Sequence, residues 1–404
     1  MTTDIKTTTK PFYNTTIPGD WEVQHFEDVA DIDKESLSGS TSKDYEFDYI
    51  SLSDVDSEDF KIETTRQIFA NAPSRARRIV HNRDVLMSTV RPNLQGFSLI
   101  NDDAKDLIAS TGFAVITAKK CCNEFLFQYL FSSGISRQFY QLLVGSNYPA
   151  INSSDVRKLK LPIPPLPEQR AIAHLLGLMD TIINQNNQLI AQKELRKKWL
   201  MQNLLTGKKR LKGFGGEWKE VKLEYFIEDY NEKPAEGCNY EVLTSAKTGL
   251  MKQSDYYGNN RITNREDADY NVIPPDYLTY RSRSDDGLFT FNKNTLGITG
   301  LISGYYPVFT IKYGDIDFIL MYCNFYRQKL TKYSIGTSQL VLSMNALKTA
   351  HFNLPTKEEQ TAIAQVLQAA DKEIQLLKSK TEKLREQKRG MMQVLLTGKK
   401  RLNN

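Results

Sequence analysis

The sequence predicts an α+β protein in which two globular domains of mixed short strands and helices are separated by two long helices. Three observations support this fold class: an internal repeat, a helical period of apolar residues inside each copy, and short segments outside the copies that predict strands, those before the first copy being rich in Val, Ile, Phe and Thr. The helices are expected to pair as an antiparallel coiled coil. That pairing would give one polypeptide a cyclic, pseudo-two-fold arrangement.

The repeat occupies residues 161–211 and 352–402, which align without a gap at an offset of 191 residues and are identical at 20 of 51 positions. Each copy opens with a proline followed four residues later by Glu-Gln, and each closes with the sequence LLTGKKRL. Proline is tolerated in a first helical turn, and glycine followed by basic residues is typical of a helix end. If helical from about Glu168 to Leu205, the first copy would be on the order of 57 Å long.

Apolar residues recur in both copies at steps of three and four, which predicts one buried seam along each helix. Polar residues interrupt the seam at Asn186, Lys193 and Lys197 in the first copy and at Thr381 and Lys388 in the second. Such residues can fix the register or the partner of a coiled coil. The predicted helix–helix and subunit-docking positions are Ile172, Leu176, Met179, Ile183, Asn186, Ile190 and Leu200, with Ile363, Leu367, Ile374, Leu377, Leu384, Met391 and Leu395.

The regions outside the repeat form two modules that begin alike, with IPGDW at 17–21 and GFGGEW at 213–218. A module therefore starts after each helix once the chain ends are joined. We predict four segments: a first module at 1–160, a helical spacer at 161–211, a second module at 212–351 and a second spacer at 352–404.

Composition favours a folded protein and sets few limits on function. The net charge is +5, and no apolar run approaches the roughly 18 residues that span a bilayer. The N-terminal sequence lacks the apolar core of a signal peptide. Four cysteines without a Cys-x-x-Cys pair indicate neither a disulfide framework nor a zinc site. We expect a cytoplasmic protein that contacts no membrane.

Basic residues are concentrated in one part of the first module. The first 60 residues carry 15 Asp and Glu against four Lys, a surface that phosphates would repel. The next forty residues reverse this balance. The DNA-contact candidates are Arg75, Arg77, Arg78 and Arg91, together with Ser146, Asn147 and Tyr148 in a polar loop before the repeat. A solvated surface for the arginines and a plain linker for the loop are the alternatives.

The second module is less basic and rich in tyrosine. Its segments YEVLTS, DYLTYRSR, GLFTF, TLGITGLIS, YYPVFTI and DFILMY predict short strands and turns. The loop at 334–343 precedes the second repeat as the polar loop precedes the first. The DNA-contact candidates are Arg261, Arg281, Arg283, Thr337, Ser338 and Gln339. The tyrosines are more often packing residues than base contacts.

Catalytic motifs are missing from the sequence. It contains no GxGxxG, HExxH or GxSxG pattern, and the four histidines are scattered. The IPPD sequence at 273–276 has the wrong flanking residues for an amino-methyltransferase motif, and the GKKR sequences follow helices without the upstream glycine of a phosphate loop. We predict no catalytic site and no metal site in this chain.

Two variable modules alternating with two near-identical helical segments resemble the specificity subunit of type I restriction-modification systems. The resemblance rests on LPIPPLPEQRAIAHLLGLMD (161–180), FNLPTKEEQTAIAQVLQAAD (352–371), the two LLTGKKRL endings and the Gly-Asp/Glu-Trp module openings. DVLMSTVRP (84–92) and GSNYPAINSSDVRKLK (145–160) are also similar to the family. The likeness covers essentially the whole chain.

The resemblance implies that each module is a target recognition domain for one half of a split double-stranded DNA site. It implies that the helices set half-site spacing and dock two methyltransferase subunits, and that restriction subunits complete the complex. S-adenosylmethionine, ATP and magnesium would then belong to partner subunits, with no cofactor in this chain. The alternatives are a coiled-coil adaptor with two protein-binding modules and a fused methyltransferase, which the lack of a glycine-rich cofactor loop disfavours.

Overall fold

The computed structural model describes residues 8–56, 61–101, 106–143, 150–246, 249–257 and 270–402. The chain divides into two compact units, which we call the first unit (Met1–Ile190 with Leu377–Asn404) and the second unit (Ala191–Leu376). Each unit therefore combines one strand-rich domain with part of both long helices. The four segment boundaries drawn from the sequence stay a prediction.

The first unit contains twelve strands and four short helices in its described residues. The strands are β1 (Thr9–Phe12), β2 (Thr15–Pro18), β3 (Glu22–His25), β4 (Ala30–Ile32), β5 (Glu46–Ile50), β6 (Thr65–Ile68), β7 (Ala76–Val80), β8 (Val85–Ser88), β9 (Phe97–Leu99), β10 (Leu107–Ser110), β11 (Phe113–Ala118) and β12 (Lys160–Ile163). The short helices are α1 (Phe26–Val29), α2 (Asn123–Leu130), α3 (Ser133–Leu142) and α4 (Ser153–Lys158), and the long helix α5 (Leu166–Leu204) follows.

The second unit repeats this plan. Its strands are β13 (Lys219–Lys222), β14 (Ile227–Tyr230), β15 (Glu241–Ala246), β16 (Gly249–Lys252), β17 (Tyr270–Ile273), β18 (Leu278–Tyr280), β19 (Arg283–Ser284), β20 (Phe291–Lys293), β21 (Gly300–Ser303), β22 (Val308–Ile311), β23 (Leu340–Val341) and β24 (His351–Leu354). The helices are α6 (Gln253–Tyr257), α7 (Ile316–Phe325), α8 (Arg327–Leu330), α9 (Met344–Lys348) and the long helix α10 (Lys357–Leu395).

Both units contain two four-stranded sheets with the same order and strand directions. The first unit has β6-β5-β10-β7 and β4-β11-β8-β9, and the second has β16-β15-β21-β17 and β14-β22-β18-β20. In each unit the middle pair of one sheet is parallel, β5 with β10 and β15 with β21. These correspondences confirm the predicted α+β fold with two similar domains, although the domains share little sequence.

One predicted strand segment is wrong. DFILMY lies in α7, whose start is capped by Asp315, the side chain of which accepts a hydrogen bond from the Phe318 amide at 2.9 Å. Phe318 and Ile319 are buried in the core of the second unit, and Tyr322 is buried with them. A helix that buries most of its surface has no clear period of 3.6, so its short apolar sequence reads equally well as a strand.

The opening sequence that the two repeats share connects a long helix to the strand-rich domain of its unit. The side chain of Gln169 donates to the Pro164 carbonyl at 2.8 Å and accepts from the Cys122 amide at 2.8 Å, at the start of α2. Gln360 makes the same pair of bonds, to the Pro355 carbonyl at 2.9 Å and from the Asp315 amide at 3.0 Å. Both glutamines are buried. The repeated motif thus satisfies backbone groups that would otherwise be buried without a partner.

The closing sequence that the two repeats share packs on the opening tryptophan of a module. Gly398 and Gly207 have positive φ values of 67° and 69°, as expected for glycines that end helices. A Cβ atom on Gly398 would lie 2.4 Å from Pro18 and 3.1 Å from Trp21, and one on Gly207 would lie 3.3 Å from Trp218. Glycine is therefore required at this position for space as well as for backbone conformation, most strictly in the first unit.

The predicted helix seam is buried or half-buried at all fourteen positions. In the second unit, the polar seam residues Lys193 and Lys197 form ion pairs with Glu373 and Asp371 of α10, both at 2.5 Å. In the first unit, Lys388 pairs with Asp180 of α5 at 2.6 Å. A second contact in the first unit is the hydrogen bond from Arg385 to Asn187 at 3.3 Å. In each unit the residue numbers rise along one helix as those of their partners fall along the other, so the two helices are antiparallel within each unit. None of the described helices is long and apolar enough to cross a membrane.

Candidate nucleic-acid interface

The second unit contains a depression of about 360 Å³ that brings three predicted DNA-contact residues together. Arg281 and Arg283 line it from one side, and Gln339 lines it from the loop before the second repeat. Tyr305 and Tyr306 contribute aromatic surface. Tyr305 is exposed and Tyr306 half-buried. Basic and amide side chains are the groups with which proteins contact DNA phosphates and base edges.

Arg283 lies in a two-stranded ribbon, β19 paired antiparallel with β23, and Arg281 and Gln339 shortly precede these two strands. Burial alternates from Arg281 into β19: Arg281 and Arg283 are exposed, whereas Ser282 and Ser284 are buried. Successive side chains of a strand point to opposite faces, so both arginines project from the same face. The major groove of DNA admits a two-stranded β-ribbon.

The ribbon is fastened to the core beneath it. The buried hydroxyl of Tyr280 donates to the Leu342 carbonyl at 2.9 Å, and the Leu342 amide donates to the Ser282 carbonyl at 2.8 Å. Burial raises the pKa of Tyr280 above its ordinary value, so this hydroxyl keeps its proton. Ile335 and Val341 exchange backbone hydrogen bonds of 3.0 and 2.8 Å and close the loop between them, which leaves Thr337, Ser338 and Gln339 exposed.

The first unit has the same arrangement at the equivalent place. After β8 the chain continues extended, and Val90 bridges to Ala150 as Arg283 pairs with Val341 in the second unit. The Ile151 amide donates to the Thr89 carbonyl at 2.9 Å, matching the bond between Leu342 and Ser282. The predicted correspondence of the two loops before the repeats therefore holds in register for the described residues.

Arg91 follows this bridge and is exposed, with a φ of 50°. It begins a 3₁₀ turn over Pro92–Leu94. The left-handed region is uncommon outside glycine, and such residues cluster at functional sites. The loop candidates Ser146, Asn147 and Tyr148 lie outside the described residues, and so does Arg261 of the second module.

The other three candidate arginines of the first module lie on or next to β7. Arg75 is exposed, and Arg77 stacks on Phe69 at 4.8 Å from the ring centroid. Arg78 forms an ion pair of 3.0 Å with the buried carboxylate of Asp33. That pair accounts for Arg78 without DNA, while a DNA contact by any of the three stays a prediction.

Sequence reasoning did not single out the residues that support the ribbon. Tyr305 follows β21 and stacks under Arg283, with the guanidinium carbon 4.2 Å from the ring centroid. The Ser282 hydroxyl donates to the Tyr305 carbonyl at 2.5 Å. The side-chain amide of Gln339 donates to the Asp285 carboxylate at 3.0 Å. The alternation of arginine and serine in YRSRS indicates one exposed face, but the partners come from distant segments.

A further surface lies on the long helices, where apolar side chains remain exposed. In the first unit, Leu178, Ile182 and Leu189 recur on one face of α5. In the second unit, Leu195 and Trp199 of α5 and Leu376 of α10 are exposed by 68, 47 and 62%. Contiguous exposed apolar surface marks protein–protein contact sites, and these side chains are candidates for such a surface.

Comparison with known proteins identifies a family whose sequence pattern this chain matches twice. A family model of the type I restriction modification DNA specificity domain matches residues 18–195 and again residues 217–386. The two matches cover most of the chain and contain both the ribbon of the second unit and the Val90–Ala150 bridge of the first. The chain belongs to the type I restriction modification DNA specificity family.

Similar proteins are known from other organisms. The MjaVIII specificity subunit of a type I restriction enzyme from Methanocaldococcus jannaschii is 26% identical over 64% of this chain and 66% of its own length. The MjaX specificity subunit of the same organism is 23% identical over 96% of this chain and 95% of its own length. The HsdS subunit from Thermoanaerobacter tengcongensis has a similar fold, with a TM-score of 0.52 and 23% identity over 96% of this chain and 99% of that subunit.

Membership of the specificity family assigns the chain a role in DNA target recognition within a type I restriction-modification complex. It is a specificity subunit and not a catalyst, because the enzymatic activities of such complexes belong to other subunits. Its partners are DNA and the remaining subunits of the complex. The adaptor and methyltransferase alternatives are not favoured by the duplicated family match.

Proposed function

We propose that each unit reads one half of a bipartite double-stranded DNA target. The support is that both units share the sheet order and one antiparallel backbone contact, Val90 with Ala150 in the first unit and Arg283 with Val341 in the second, but present different side chains there. Arg283 in the second unit occupies the place of Val90 in the first. Two units with the same scaffold and different DNA-contact residues would recognise two unrelated half-sites.

In the first unit, the proposed base and phosphate contacts come from Arg75, Arg77 and Arg91 and the loop at 146–148. In the second unit they come from Arg281, Arg283 and the loop at 337–339. Arginine and lysine supply most phosphate contacts, which give affinity without sequence preference, whereas base-edge contacts in the groove give specificity. The acidic segment at the start of the chain would face away from the phosphates.

We further propose that the two long helices set the spacing of the half-sites and dock two modification subunits, one on each unit. The duplicated helix sequence and the exposed apolar residues in both units support a pair of docking surfaces. S-adenosylmethionine would bind the modification subunits, and ATP and magnesium the restriction subunits. A cytoplasmic location follows from the proposed DNA target.

The test is to express this chain with its modification subunits in a host that lacks the system and to map DNA methylation by single-molecule sequencing. We expect one new methylated motif made of two short half-sites separated by unspecified bases. A continuous motif would contradict the two-reader proposal. The same cells without this chain give the baseline.

Binding of the purified chain to random-sequence DNA separates the reader from a protein-binding adaptor. Neutralising several phosphates makes the logarithm of the binding constant fall linearly with the logarithm of salt concentration, by about 0.9 for each contact. We expect a steep decrease between 50 and 200 mM salt. Absence of measurable DNA binding at low salt would favour the adaptor.

A further inference from the structure

Arg283 is held in an orientation suited to recognising one base. Its guanidinium lies 4.2 Å from the centre of the Tyr305 ring, and both residues are exposed. Stacking on a ring face leaves the N–H groups on the edge of the planar guanidinium available for hydrogen bonds. Among the residues that the structure describes, none forms an ion pair with Arg283, so none of their carboxylates neutralises its charge.

The backbone that carries the ring beneath Arg283 is held by two hydrogen bonds. Ser282 is the buried residue between Arg281 and Arg283 in the sequence. Its hydroxyl donates to the Tyr305 carbonyl at 2.5 Å. Tyr306 is held as well, because the side-chain amide of Asn271 donates to its carbonyl at 3.0 Å. The turn that carries Tyr305 is therefore anchored to the ribbon and to β17. Pre-organisation of this kind lowers the entropy lost when a side chain binds its target.

The groups around Arg283 suit a base edge better than a phosphate. Asp285 lies two residues along the chain and accepts a hydrogen bond from Gln339 at 3.0 Å. A carboxylate would repel a phosphate group at this place, whereas carboxylates accept hydrogen bonds from the amino group of cytosine. Arginine forms paired hydrogen bonds with O6 and N7 of guanine, and this is the commonest specific contact in the major groove.

We propose that Arg283 reads a guanine in the half-site of the second unit and that Tyr305 is its positioning residue. This inference rests on the proposed DNA-reading function and assigns one of its specificity determinants. The half-site read by the second unit then contains at least one G·C pair, with its guanine facing the ribbon. The first unit has Val90 at this place and makes no such contact there.

The first experiment maps the methylated motif produced by the full chain with its modification subunits. We expect Arg283→Ala to relax one G·C position in the half-site of the second unit and to leave the other half-site unchanged. Tyr305→Phe should keep the specificity, because the ring remains, and Tyr305→Leu should relax the same position. Lys312→Ala is the matched control, since Lys312 is exposed and lies 6.0 Å from the Tyr313 ring centre.

The second experiment needs no variant and so does not depend on folding of a mutant. Oligonucleotides carrying the motif are made with 7-deazaguanine, which lacks the N7 acceptor, at each guanine of the second half-site in turn. We expect one replacement to weaken binding of the unaltered chain by about 5- to 150-fold, the range for one specific contact. Arg283→Ala should bind the altered and normal sites equally.

The inference is overturned if the second half-site contains only A·T pairs, or if no 7-deazaguanine replacement weakens binding. It is also overturned if Arg283→Ala keeps full discrimination at every G·C position. In each case a bipartite motif would still be methylated, and the proposed function would stand. Loss of the bipartite motif from the unaltered chain would instead refute the proposed function itself.

Discussion

Arg401, close to the end of the chain, clasps the buried carboxylate of Glu168 at the start of the first long helix. Two nitrogens of Arg401 lie 2.7 Å from the two carboxylate oxygens, and Asp20 accepts two further bonds of 2.9 Å. Trp21 donates to the same glutamate at 3.2 Å. In the second unit, Arg210 clasps the buried Glu359 in the same way. The end of one repeat thus fastens the beginning of the other, within each unit.

Removal of this arginine should destabilise the unit that contains it. We expect Arg401→Ala to lower the free energy of unfolding by about 1–3 kcal/mol, because Glu168 is left buried without its charged partner. Urea denaturation followed by tryptophan fluorescence measures the effect. Lys400→Ala is the control, since Lys400 is exposed and keeps only its backbone contact. Equal midpoints for Arg401→Ala and the unaltered chain would show that the clasp contributes nothing.

Acid should weaken the first unit through Asp20. Hydrogen bonds from Arg401 hold the pKa of Asp20 below its ordinary value. A carboxyl group with a lowered folded-state pKa stabilises the fold above its unfolded pKa of about 3.9 and loses this contribution as the pH falls through the folded pKa. Asp20→Asn should therefore lower the urea midpoint at pH 7 and have a smaller effect at pH 3. An equal effect at both values would contradict the ion pair.

The antiparallel register in the second unit can be tested by charge exchange. Lys193→Glu should destabilise the helix pair because it faces Glu373, and Glu373→Lys in addition should restore part of the stability. The coupling expected for such a half-exposed pair is about 0.2–1 kcal/mol, obtained from a double-mutant cycle. Lys198→Glu is the control, at an exposed position of the same helix. A parallel register would give no coupling between residues 193 and 373.

The long helices and the doubled plan could be predicted from the sequence because their signals are local. A seam that repeats every three or four residues, and a glycine before basic residues, indicate a helix and its end wherever the helix packs. Strands of the second module were also predictable, since β22 lies within the predicted segment YYPVFTI. DFILMY was not, because a buried helix and a buried strand have the same composition.

The contacts of single arginines depend on residues far away in the chain and could not be predicted. Arg78 pairs with Asp33, which precedes it by 45 residues, and so belongs to the fold of the first unit. Arg283 stacks on Tyr305, 22 residues later, and keeps its charge available. In the sequence, Arg78 and Arg283 cannot be told apart, because each simply lies near another arginine. Only the tertiary structure distinguishes an arginine bound within the protein from one presented at its surface.

Lengthening the helices tests whether they set the half-site spacing. One heptad inserted after Leu189 and another after Lys380, which face each other in the antiparallel pair, would add about 10 Å, or about three base pairs. We expect the methylated motif to keep both half-sites and to gain about three unspecified bases between them. An unchanged spacer would show that the helices do not determine the spacing.

The most direct test of the account is to exchange residues 1–160 for the corresponding module of another specificity subunit and to sequence the methylome. The contact candidates of the first unit are replaced, while Arg281, Arg283 and the loop at 337–339 remain in the second. We expect one half-site of the methylated motif to change and the other to be retained base for base. A motif in which both half-sites change, or neither does, would contradict the assignment of one reader to each unit.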